Sequence, residues 1–125
     1  MQTIVFFLKR KGIAQTLAQR LQDIPDVSVL FQSDYAHADT VVRSTAADVV
    51  LIEATESNDE DILHCLSVCA RLRGECPFCR LLLLCPESNS DNVSKAVDAK
   101  RNGLIEDFVF YDASVDYLVS KLLSM

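Results

Sequence analysis

Asp48-Val49-Val50-Leu51-Ile52-Glu53 decides how this chain is read. Four consecutive apolar residues, three of them β-branched, have strand character and no polar face. A strand that buries both faces belongs to a parallel sheet with helices on either side. Glu53, which ends the run, then sits at the C-terminal edge of the sheet. Open α/β sheets place their ligands and chemistry at that edge.

The same pattern extends outward in both directions. Strands are predicted over residues 3–8, 27–31, 48–53, 80–85 and 105–111, each followed by a helix. In the first helix (13–22), Ile13, Leu17 and Leu21 recur every four residues. The second strand is entered through Pro25, and the second helix (35–45) has Ser33 or Asp34 as its cap. Ser57 and Glu60 have capping-box spacing for the third helix, with Asp59, Glu60 and Asp61 where the helix dipole favours negative charge. That helix should stop near Gly74, ahead of Pro77. Pro86 ends the fourth strand, and Gly103 suits a left-handed cap on the fourth helix, which starts near Ser90. The last helix follows Ser114 and carries Val115, Leu118, Val119 and Leu122 on one face. Strict alternation implies right-handed crossovers and a flavodoxin-like (βα)5 three-layer α/β sandwich. Its parallel five-stranded sheet should run in the order 2-1-3-4-5. No linker, repeat or low-complexity tract interrupts residues 1–125, so a single domain is expected, with no output domain attached.

Composition narrows the function. Half of the 125 residues are hydrophobic and 24% are charged, as in an ordinary globular domain. The net charge of −6 argues against nucleic acid or an anionic membrane as a nonspecific ligand and favours a protein partner. The apolar run 81–85 is far too short to span a bilayer, and the first strand begins without a signal segment. Five cysteines cannot all pair within one chain, so reduced thiols and a cytoplasmic location are expected.

The five β/α units and the acid that ends the third strand resemble bacterial response-regulator receiver domains, the CheY-like superfamily, over essentially the whole chain. The resemblance implies a phosphoacceptor aspartate where this chain has Glu53. It implies an acidic pair holding Mg²⁺ after the first strand, where this chain has Leu8 and Lys9. It implies a hydroxyl residue at Cys85, a switch aromatic at Phe108, and a lysine followed by proline at Tyr111 and Asp112. Mg²⁺ needs hard oxygen ligands, which an apolar side chain and an ammonium do not offer. The expectation is an atypical pseudo-receiver in two-component-type signal transduction that is not an enzyme, uses no cofactor and acts by phosphorylation-independent protein binding. Glu53 carries its carboxylate one methylene further than aspartate, roughly where a phosphoryl oxygen would lie, with Lys9 as its expected partner. It reads either as a fixed mimic of the phosphorylated state or as a solvated carboxylate paired for packing only. The resemblance also implies a partner or homodimer face on the fourth helix, fifth strand and fifth helix, where Phe108 and Tyr117 lie. An adaptor or localisation module like the receiver-like parts of pilus-assembly ATPases is a second expectation.

Cys65, Cys69, Cys76 and Cys79 raise a metal or redox reading. Cys65 and Cys69 share the apolar face of the third helix with Ile62 and Leu66, which suits packing better than zinc. Cys76-Pro77-Phe78-Cys79 follows a helix and opens a strand, the reverse of the context that activates a redox C-x-x-C. His37 and His64 read as surface residues. Lys9-Arg10-Lys11-Gly12 lacks a phosphate-loop pattern, and its composition does not suit FMN.

Overall fold

The computed structural model describes residues 2–56, 61–86 and 90–125. Long apolar runs form the strands β1 (Gln2–Phe7), β3 (Val49–Glu53) and β4 (Arg80–Cys85) at the middle of one sheet. Every residue of β3 is buried, as are the last four of β1 and the last five of β4. The half-exposed strands β2 (Val27–Gln32) and β5 (Asp107–Phe110) form its edges. The order is β2-β1-β3-β4-β5 and all pairings are parallel.

Alternation along the strands divides the core into two layers. Val5, Phe7, Val50, Ile52, Leu81 and Leu83 face α2 (Ala38–Thr45), α3 (Ile62–Glu75) and α4 (Ser90–Arg101). Ile4, Phe6, Leu51 and Leu82 face α1 (Lys11–Leu21) and α5 (Val115–Ser124). None of the helices described is long and apolar enough to cross a membrane.

Three local expectations are corrected. The second helix starts at Ala38, not near residue 35. Neither Ser33 nor Asp34 caps it; its N-cap is His37, with no side-chain cap bond. Asp34 closes its own turn by accepting from the Ala36 N–H at 2.9 Å. The third helix starts at Ile62, capped by Asp61, which accepts from the His64 N–H at 2.9 Å. Ser57 and Glu60 lie outside the described residues. The expectations at Gly103 and Ser114 match the structure. Gly103 takes φ +79° after α4, and Ser114 caps α5 by accepting from the Tyr117 N–H at 3.0 Å.

Charged clamps tie the outer helices to β5. The Arg73 guanidinium of α3 donates to the carbonyls of Cys79 and Leu104, both at 3.1 Å, and meets Glu106 at 2.9 Å. Asp107 receives Lys100 of α4 at 3.0 Å and also Lys121 of α5. Burial alone would raise the Asp107 carboxyl, but hydrogen bonds from Lys121, Lys100 and the Phe108 N–H together hold it below its usual range. A depressed carboxyl stabilises the fold above its unfolded pKa, and that contribution is lost as pH falls through the folded value. Asp107→Asn should therefore cost about 1–2 kcal/mol near neutral pH and flatten the loss of stability below about pH 4, measured by urea unfolding across pH.

Candidate functional site

Burial of β3 on both faces carries Glu53 to zero solvent exposure at the C-terminal edge of the sheet. A buried carboxylate is tolerated only when paired and hydrogen-bonded. The donors come from the neighbouring strand end, where the chain leaves β1 and turns into α1. Glu53 Oε1 accepts the Lys9 N–H at 2.8 Å and the Arg10 N–H at 3.2 Å. Its Oε2 accepts Arg10 Nε–H at 2.5 Å. The Arg10 side chain is 43% exposed, so the pair is dry at the acid and wet at the base.

Arg10 is held from its far side. Its guanidinium carbon lies 3.8 Å from the centroid of the Tyr111 ring, in a stacked cation–π contact. The Tyr111 hydroxyl donates to the Ala54 carbonyl, just beyond β3. Burial pushes that hydroxyl far above its usual pKa, and the negative charge of Glu53 pushes in the same direction. Below Glu53, the Tyr35 hydroxyl lies 2.7 Å from the Glu53 carbonyl oxygen and 2.9 Å from that of Phe7. The Cys65 thiol approaches the same Glu53 carbonyl at 3.4 Å.

The expected Lys9–Glu53 pair is corrected. Lys9 meets the carboxylate through its backbone N–H, while its ammonium donates to the Ser33 carbonyl at 2.5 Å and lies 5.3 Å from the Tyr35 ring centroid. Arg10 is the side-chain cation because its planar fork satisfies the acid and stacks on Tyr111 at once, which an ammonium cannot do. Glu53 is also not the solvated carboxylate of the packing reading.

The remaining candidate residues are placed around this cluster. Leu8 is buried in the layer beneath α1 and α5. Cys85 is fully buried at the end of β4, paired in register with Phe110. Phe108 is half-buried on the layer facing α3 and α4, and its ring meets Phe110 edge-on at 5.5 Å. Tyr117 stands 53% exposed on α5, on the other side of β5. Arg10 and Tyr35 were missed by sequence reasoning. Arg10 had a signal, since it lies in the basic run that opens α1. Tyr35 had none that separates a buried loop tyrosine from a helix-start residue.

The cysteines pack as apolar groups. Cys65, Cys69 and Cys79 are buried in the layer between the sheet and α3, and Cys76 is half-buried beside it. Burial pushes the thiols of Cys69 and Cys79 up to about 12, which keeps them protonated and unreactive. Among the described residues, no three His, Cys, Asp or Glu side chains come close enough to share a metal ion.

No family model matches the chain, and no curated protein matches it. Solved structures do. A DNA-binding response regulator of the LuxR family from Staphylococcus aureus is 14% identical, with TM-score 0.77, over 99% of this chain and 98% of that one. A CheY-like protein, TadZ, from Pseudomonas aeruginosa is 19% identical, with TM-score 0.72, over the same two shares. The signal receiver domain of an HD domain-containing protein from Pseudomonas fluorescens is 20% identical, with TM-score 0.78, over 98% of this chain and 85% of that one. At these identities the likeness is one of architecture, and that architecture is the CheY-like fold of response-regulator receiver domains.

Proposed function

We propose that this chain is an atypical receiver in two-component-type signalling, one that binds a protein partner and accepts no phosphoryl group. One observation carries the reading: the carboxylate at the acceptor position is buried and already satisfied by two backbone amides and Arg10. In an active receiver a divalent cation supplies positive charge at this place. Here a guanidinium fixed to the chain supplies it. The site would then hold one state permanently, and the α4–β5–α5 edge, with Phe108 and Tyr117, would present that state to the partner. An adaptor or localisation module is the second reading, and the same buried, satisfied carboxylate at the acceptor position serves it. Both readings need a protein partner and no phosphoryl transfer.

Amide NMR during titration with Mg²⁺ and then beryllofluoride tests the loss of the acceptor site. The resonances of Glu53, Cys85 and Phe108 should stay where they are. Saturable, concerted shifts would overturn the reading. Glu53→Asp alone should behave in the same way, because Leu8 and Lys9 still offer the metal no carboxylate.

The Arg10 clamp has its own test. Arg10→Ala leaves a buried carboxylate with only its backbone donors, and should cost about 1–3 kcal/mol in chemical unfolding, discounted for the half-exposed base. Tyr111→Phe keeps the stacked ring and loses one hydrogen bond, so a smaller cost of about 1 kcal/mol is expected. Tyr111→Phe should also lessen the loss of stability above about pH 10. A hydroxyl with a raised folded pKa stabilises below its unfolded value, and that contribution disappears as pH rises.

A further inference from the structure

The end of the molecule opposite Glu53 carries an unexplained feature. Phe78 is 96% exposed in the turn between α3 and β4. It stands between two depressions along the N-terminal edge of the sheet and lines both. One, about 400 Å³, is walled by Val42, Ala46, Cys76 and Pro77. The other, about 370 Å³, is walled by Gln2, Asp48, Arg80 and Met125. The knob is held in place from below. The turn is closed by the Cys79 N–H on the Cys76 carbonyl at 3.1 Å, Cys79 is buried, and Arg73 holds its carbonyl at 3.1 Å. With the turn's backbone already fixed, only the ring's own rotation is left to be lost on docking.

The charges around Phe78 are mixed, in a chain whose net charge is −6. Arg43 and Arg80 are matched there by Asp48 and Glu75. Arg43 meets Glu75 at 3.2 Å on the surface, while Arg80 makes no ion pair among the described residues. We propose that this patch is a self-association surface whose occupant is a second copy of the same chain, docked about a two-fold axis. A two-fold contact needs one patch that offers both halves of each interaction. Here the knob and an apolar depression adjoin, and so do an unpaired cation and two acids. Phe78 of each copy enters the depression of the other, and Arg80 faces the acids across the axis. Two chains of −6 repel over most of their surfaces, and a charge-balanced patch is where they approach at least cost. The contact is independent of the α4–β5–α5 edge and of the Glu53 site.

Sedimentation equilibrium of the whole chain from about 1 µM to 1 mM, the span of weak protein association, reads this directly. The mass of the wild type should climb from monomer toward dimer. Phe78→Ser and Arg80→Glu should each weaken the dimer by roughly tenfold or more, with circular dichroism unchanged because both side chains are exposed. Tyr117→Ala should leave the dimer intact. A wild type that stays monomeric throughout overturns the proposal. So does a dimer that survives Phe78→Ser and Arg80→Glu, or one abolished by Tyr117→Ala.

Discussion

The carboxylate of Glu53 is the constraint around which the upper half of this protein is arranged. Removing an ionised carboxylate from water costs several kcal/mol, and the cost is met only by well-aligned donors. Two of those donors are backbone amides, which fixes the path of the chain between β1 and α1. The third is Arg10, whose position depends on the Tyr111 ring and therefore on the end of β5. The Glu53 carbonyl is used as well, by Tyr35 from the loop after β2. One residue thus connects four of the five strand ends: its own and those of β1, β2 and β5. The ends of β1 and β2 meet it directly, and the end of β5 meets it by way of Arg10, through contacts of less than 4 Å.

The opposite edge is built on the same principle with different groups. Glu106 accepts the Leu81 N–H at 2.6 Å as well as Arg73, so the start of β5 is fastened to the start of β4 and to the end of α3. Asp107 then gathers α4 and α5 onto the edge strand. These ion pairs are partly exposed, and screening keeps each of them modest. Position is their main effect, because they fix two helices that flank the strand carrying Phe108 and leading into Tyr111. The apolar layers supply the driving force for collapse, and the clamps set the register of what collapses.

Much of this was legible in the sequence because it rests on periodicity. Runs with no polar face could only be central strands, and Gly103, Pro86 and Ser114 marked boundaries through backbone chemistry local to one residue. Helix starts were less legible where several acids and hydroxyls competed. The stretch 57–61 offers three carboxylates and one hydroxyl to the same helix, and only the structure identifies Asp61 as the cap of α3. The candidate site divides in the same way. Glu53 was legible because a strand pattern ends on it. The identity of its partner was not, because Lys9 and Arg10 are adjacent, both long and both cationic. The choice between them depends on Tyr111, about 100 residues away, and sequence spacing carries no information about such a contact.

The choice of arginine has a consequence for dynamics. A dissociable cation at a sheet edge permits two states, occupied and empty, and a conformational switch needs two states that differ in free energy by an amount its ligand can supply. A guanidinium fixed to the backbone cannot leave. Its motion is a side-chain rotation that would leave a buried carboxylate with fewer donors, break a cation–π contact and leave the Tyr111 ring uncovered. Each of these losses opposes the open state. On the reading proposed above, the upper edge of the sheet acts as a structural joint with one favoured arrangement. Signalling from such a joint would come from the surface it holds still.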